Sequence, residues 1–210
     1  MSWIKQDYRQ YIEILEPEIG QQVGMLNNIS GILEQDGNTA ESIEPYRLRS
    51  ELIPNSPNSY PVLARILYKT GKYQEAIDYF KKAIGILPND SSLYDQLGNA
   101  FRQLERYQEA ITTYEQALKI NPKNYNAYNG LGNVFYLMNR DQDAFEMYQK
   151  AISINPDSAH PYNGSANVFM ERGDYLNAIK AFEKFISLAD KKDDERFILR
   201  AQEKIQECLN

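Results

Sequence analysis

The sequence predicts an all-α fold, a solenoid of stacked helix pairs, and three observations predict it. Residues 91–124 (SSLYDQLGNAFRQLERYQEAITTYEQALKINPKN) and 125–158 (YNAYNGLGNVFYLMNRDQDAFEMYQKAISINPDS) repeat one template at a period of 34, and the unit recurs in register at 57–90 and 159–192. Within each unit the apolar residues fall at spacings of three and four, the period of a helix face. Pro88, Pro122 and Pro156 stand at the unit ends, where they stop the second helix of each pair because proline cannot continue the hydrogen-bond ladder. One such unit cannot bury its apolar flank alone; stacked neighbours can.

Taken in order, Trp3, Ile4, Tyr8, Tyr11, Ile12 and Leu15 mark an amphipathic helix expected to end near Pro17 and to pack on the first repeat. Asp7, Glu13 and Glu16 occupy its polar face, where a membrane-surface helix would carry Lys or Arg. From Val23 to Ser56 a degenerate copy of the unit can be threaded, with Leu26, Ile29, Leu33 and Gly37 matching a first helix and its turn. Its second half fits badly: Ser42 and Arg49 stand where the other copies have Ala, and Pro45 would disrupt a helix interior by about 3 kcal/mol. The expectation is a helix over 22–35, a loop through Asp36, Gly37 and Asn38, and an irregular or short helical segment up to Pro54.

In the four regular copies the first helix presents Tyr60, Leu63 and Leu67; Tyr94, Leu97 and Phe101; Tyr128, Leu131 and Phe135; Tyr162, Ser165 and Phe169. Against this stripe lie Ala76 and Phe80, Ala110 and Tyr114, Ala144 and Tyr148, Ala178 and Phe182 of the second helix. Small residues at Ala64, Gly98, Gly132 and Ala166 let the two axes approach until ridges enter grooves. Gly71, Asn139 and Gly173 suit a left-handed residue that ends each first helix, and Glu105 fits that place less well.

The fourth copy departs from the template at its end. Phe185 replaces the small residue seen as Ala83, Ala117 and Ala151, so this copy is expected to end the stack. After the charged linker, Phe197, Ile198, Ala201, Ile205 and Leu209 form one more amphipathic helix, a polar-backed cap. The expected organisation is therefore an N-terminal helix and degenerate repeat over 1–56, four repeats over 57–192, and a capping helix over 193–210.

The aromatic, Leu-Gly, Ala, aromatic, Ala, Pro order at this period resembles the tetratricopeptide repeat. The resemblance implies a right-handed α-α superhelix whose concave face is the usual peptide-binding surface. That face should carry Arg65, Asp95, Asn99, Arg102, Asn129, Asn133, Tyr136, Asn163, Asn167 and Met170. Asn99, Asn133 and Asn167 are one repeat apart, and Asn129 and Asn163 lie one turn before the last two. An amide offers one acceptor and two donors, matching a peptide group, so such a ladder can hold an extended backbone; it resembles the asparagine ladder of O-linked N-acetylglucosamine transferase repeats. Asn at this place is also common in generic tetratricopeptide sequences, so a solvated scaffold stands beside peptide contact as a reading. Gly130 and Gly164, inside first helices, either let a ligand backbone approach or are shared by descent, since YNGLGNVF and YNGSANVF are siblings.

The same resemblance allows a sharper proposal, the carboxylate clamp for acidic chaperone tails, to be tested residue by residue. Starting at the first regular copy its places hold Pro61, Arg65, Gln96, Asn126 and Gly130; one copy later they hold Asp95, Asn99, Gly130, His160 and Gly164. Only Asn99 fits, so no such tail is expected as a partner.

Other functions are disfavoured by what the chain contains. A net charge of -6 opposes phosphate-backbone binding, so nucleic acid is not an expected partner. One Cys (Cys208) and one His (His160) supply neither a zinc site nor a Ser-His or Cys-His pair, and no cofactor or metal is expected. Walker and dinucleotide glycine patterns, HExxH and GxSxG are missing, which argues against an enzyme. No apolar run approaches a membrane span and the first residues lack a signal-like core, so a cytoplasmic, membrane-free protein is expected. The functional expectation is a non-catalytic scaffold binding a peptide or protein segment in the concave groove. The alternative is a structural module that self-associates through its N-terminal helix or solenoid ends.

Overall fold

A computed structural model of the chain describes residues 3–35, 37–54 and 56–209, the side chains of 3–16 excepted. The described residues form eleven α-helices and no strand. They divide into two compact units, Met1–Pro88 and Asn89–Asn210.

The first unit contains α1 (Trp3–Gln35), α2 (Ile43–Leu52), α3 (Ser59–Lys69) and α4 (Tyr73–Ile86). Its first helix corrects the sequence expectation: α1 does not end near Pro17 but runs through it to Gln35. Proline's fixed φ is itself helical; it removes one N–H bond and crowds one carbonyl, and the turns on both sides outweigh that. The apolar stripe from Trp3 to Leu15 lies outside the described side chains. The turn after α1 closes at Gly37 (φ 80°), where Asn38 N–H donates to Leu33 O at 2.8 Å and Gly37 N–H to Glu34 O at 3.2 Å.

Helix α2 is the short helix expected of the degenerate half-repeat. Pro45 is tolerated because it sits in the first turn, where a backbone N–H has no intrahelical partner to lose. Ser42, in the place of the template Ala, is buried, and its hydroxyl donates to Thr39 O at 2.8 Å. Tyr46 Oη donates to Glu34 Oε1 at 2.6 Å, tying α2 to α1, and burial with this carboxylate pushes the phenol up to about 12. Arg47 pairs with Glu75 at 2.9 Å, tying α2 to α4. Leu63, Ile66, Leu67, Ile77 and Phe80 make the α3–α4 core.

The second unit contains α5 (Ser91–Gln103), α6 (Tyr107–Ile120), α7 (Tyr125–Leu137), α8 (Asp141–Ile154), α9 (His160–Glu171), α10 (Tyr175–Leu188) and α11 (Glu195–Leu209). Pairs α5–α6, α7–α8 and α9–α10 follow the predicted periods, and each opens into the next through α6–α7 and α8–α9 contacts. Asp90, Asn124 and Asp174 cap α5, α7 and α10 by accepting from Ser92, Ala127 and Asn177 N–H. Glu105 (φ 57°), Asn139 (φ 56°) and Gly173 (φ 71°) all occupy the left-handed turn. Each closes the same pair of bonds, as in Arg106 N–H to Phe101 O at 3.0 Å and Glu105 N–H to Arg102 O at 3.0 Å.

Helix α11 covers α10 as expected of a cap. Phe185, which replaces the small residue of earlier copies, is buried together with Ala201, and Ile198, Ile205 and Cys208 pack around them.

Candidate functional site

The site is built around two tyrosines of the second unit. Tyr114 of α6 and Tyr148 of α8 are fully buried. The Tyr114 ring lies between Gly98 of α5 and Gly130 of α7, and the Tyr148 ring between Gly132 of α7 and Gly164 of α9. A Cβ added at Gly98 would stand 2.6 Å from the Tyr114 ring, and one at Gly132 2.5 Å from the Tyr148 ring. The space at Gly130 and Gly164, which one of the two sequence readings kept for a ligand backbone, is therefore already filled by a side chain of the preceding pair.

Threaded between first helices, each ring delivers its hydroxyl to the asparagine ladder. Tyr114 Oη donates to Asn99 Oδ1 at 2.9 Å and Tyr148 Oη to Asn133 Oδ1 at 2.9 Å. Burial pushes the Tyr148 phenol up, which keeps it a donor. In the fourth copy Phe182 has no hydroxyl, and Lys204 of α11 donates to Asn167 Oδ1 instead. Burial holds the Lys204 ammonium below its ordinary range, and Arg200 adds to the effect.

This arrangement carries a signal in the sequence that periodicity alone missed. Where the small residue is Gly the partner ring is Tyr (Gly98 with Tyr114, Gly132 with Tyr148); where it is Ala the ring is Phe (Ala64 with Phe80, Ala166 with Phe182). Only Gly leaves room for a ring pinned by its hydroxyl.

The remaining expected residues are distributed as follows. Arg102, Asn129, Asn163 and Met170 are half-buried on α5, α7 and α9, and Tyr136 is half-buried on α7. Arg102 lies near enough to Tyr148 for its charge to act on the phenol. Tyr136 Oη donates to Glu171 Oε1 at 3.4 Å; burial first, then this carboxylate, raise its phenol. Asn129 Oδ1 and Arg102 Nε are buried with no hydrogen-bond partner. Arg65 is exposed on α3 of the first unit.

Asp95 does not belong to an open face. It is 6% exposed, and its Oδ2 accepts from Asn124 Nδ2 at 3.1 Å, so it braces the cap of α7. Burial raises its carboxyl from the ordinary 3.8 to about 6, Asp90 adds to the rise, and the Asn124 bond opposes it.

In this unit the first helices contact one another directly, α5 with α7 and α7 with α9. Asn99 and Asn133, with their oriented amides, stand in this row of first helices.

These features define a helical-repeat scaffold for protein interaction. The family models agree: "TPR repeat" matches 98–139, "Tetratricopeptide repeat" matches 125–158 and, in a second model, 159–192, and a model for anaphase-promoting complex, cyclosome, subunit 3 matches 44–117. The chain belongs to the tetratricopeptide repeat family. Among curated proteins none matches it by sequence.

Solved structures share the fold. The MamA protein is 24% identical, with a TM-score of 0.65 over 85% of this chain and 96% of MamA. TTC0263, a thermophilic TPR protein of Thermus thermophilus, is 18% identical, with a TM-score of 0.73 over 88% of this chain and 99% of its own. YrrB, described as a TPR protein with an unusual peptide-binding site, is 17% identical, with a TM-score of 0.58 over 93% of this chain and 97% of its own. No described helix is long and apolar enough to cross a membrane.

Proposed function

We propose that the second unit is a non-catalytic binding module that holds an extended protein segment along the inner row of α5, α7 and α9. The observation that supports this most directly is the pair of bonds from Tyr114 and Tyr148 to the amide oxygens of Asn99 and Asn133. With the oxygen engaged, each amide turns its NH2 group to the partner, so the ladder offers donors in a fixed orientation to successive peptide carbonyls. Asn129, Asn163 and Asn167 extend the polar track, Arg102 adds a charge-assisted donor, and Tyr136 and Met170 add apolar contact area. Arg65 continues the same repeat position in the first unit. YrrB, a neighbour in fold, is described as having a peptide-binding site, which is consistent with this use of such a scaffold.

The test uses carboxylates rather than alanines. Asn99→Asp with Asn133→Asp keeps the acceptor that each tyrosine needs and replaces the outward donor with an acceptor. A pull-down from native lysate with the double variant should lose the partners that the wild-type chain captures, with the circular dichroism spectrum unchanged. Equal capture by both would remove the ladder from the interface.

A second reading, self-association, is supported by Met25, Ile29 and Ile32, which lie on one face of α1 and are all exposed. Light scattering over a concentration series should then show a mass increase that Ile29→Glu with Ile32→Glu removes. A constant monomer mass excludes this reading.

A further inference from the structure

The fourth copy lacks a leucine that the other three bury. Leu63, Leu97 and Leu131 are 0%, 6% and 5% exposed at the middle of the first-helix stripe, and the matching residue of α9 is Ser165, 1% exposed. A serine side chain has two fewer heavy atoms and brings a hydroxyl. Beside it lies an open pocket of about 260 Å³ lined by Gln149 and Ile152 of α8, Tyr162 and Phe169 of α9, and Asn177, Lys180 and Lys184 of α10.

Three properties of this cavity point to a ligand. Ser165 Oγ is buried and has no hydrogen-bond partner, an unfavourable state for a hydroxyl that a bound polar atom would relieve. Lys180 and Lys184 are one turn apart on α10 and both line the pocket, and among the described residues no carboxylate lines it. The lining between is mixed: Ile152, Tyr162, Phe169 and Ala181 give apolar and aromatic surface, Gln149 and Asn177 polar groups, and Lys184 Nζ stands 6.0 Å from the Tyr162 ring centroid. The volume lies just under the usual range for drug-sized ligands and suits a molecule of one ring.

We propose that this cavity binds a small organic anion: a single-ring apolar body with a polar atom at its buried end for Ser165 and a carboxylate at the mouth for Lys180 and Lys184. The site uses α8, α9 and α10 and does not rest on the segment-binding reading of the inner row. It takes its specificity from the two ends, since Ser165 accepts or donates one hydrogen bond and the lysine pair selects charge.

The experiment titrates the full chain with 3-(4-hydroxyphenyl)propionate and follows ¹H–¹⁵N correlation spectra. Saturable shifts should appear at residues 162–169 and 177–184. The corresponding propanamide should bind on the order of tenfold more weakly, and Lys180→Gln with Lys184→Gln should weaken the acid by a similar factor without changing the melting temperature. Ser165→Ala should erase the preference for the phenol over 3-phenylpropionate. Ser165→Leu, which restores the side chain of the other copies, should abolish binding. Absence of saturable shifts in the wild-type chain, equal affinity for acid and amide, or unaltered affinity in both the lysine double variant and Ser165→Leu would overturn the proposal.

Discussion

Tyr114 Oη donates a 2.9 Å hydrogen bond to Asn99 Oδ1 from a ring buried between two glycines of neighbouring first helices. One side chain thus fills the joint between successive pairs and orients an amide on a first helix. Tyr148 and Asn133 repeat the relationship one unit later. Removing the hydroxyl alone should be measurable: Tyr114→Phe and Tyr148→Phe are each expected to lower stability by about 1 kcal/mol in urea unfolding, since packing stays and one bond is lost.

The glycines flanking these rings should not tolerate a methyl group. Gly98→Ala and Gly132→Ala gain helix propensity of about 1 kcal/mol but force a buried ring to move, so a net loss of about 1 to 3 kcal/mol is expected. Gly85 provides the control. It lies exposed in α4 with nothing near an added Cβ, and Gly85→Ala should stabilise by up to about 1 kcal/mol. Adding Tyr114→Phe to Gly98→Ala should recover part of the loss, because a ring without its hydroxyl bond can tilt, as the Ala64 and Phe80 combination of the first copy suggests; strictly additive losses would contradict this.

Glu105 holds a left-handed conformation that Gly71 and Gly173 occupy without strain. A side chain there costs about 1 to 2 kcal/mol, part of which glycine returns to unfolded-chain entropy. Glu105→Gly should therefore stabilise by about 1 kcal/mol, measured as a rise in the urea midpoint with an unchanged slope.

The Asp95 carboxyl makes stability depend on pH. Its folded value, about 6, lies above the ordinary 3.8, so the folded state holds the proton more tightly than the unfolded chain. The associated stability is fully present below about pH 3.8 and is lost as pH rises through about 6. Asp95→Asn keeps an acceptor for Asn124 and removes the buried charge. The variant should be more stable than wild type at pH 7, by on the order of 2 kcal/mol, and the gap should close toward pH 4 in paired urea titrations.

Pro17 and Pro45 mark where local reading reached its limit. Both carry the same intrinsic penalty, yet one lies within a long continuous helix and the other in the first turn of a short one. Position relative to a helix start decides whether the missing N–H matters, and that start depends on the loop closed at Gly37. Gly130 and Gly164 show the same limit at the site. A vacancy on a helix is evident from composition, but the group that fills it comes from another helix.

The chain by itself determined the period of 34, the helix pairs, their stops and the repeat spacing of the asparagines, because apolar spacing and backbone stereochemistry act over a few residues and are written there. Only the tertiary structure decided that tyrosines occupy the glycine gaps and turn the ladder's amides, that Asp95 is buried against a cap, and that Ser165 is buried beside an open pocket. Those outcomes depend on which surfaces meet when helices distant in sequence pack to native density, and no single helix contains that information.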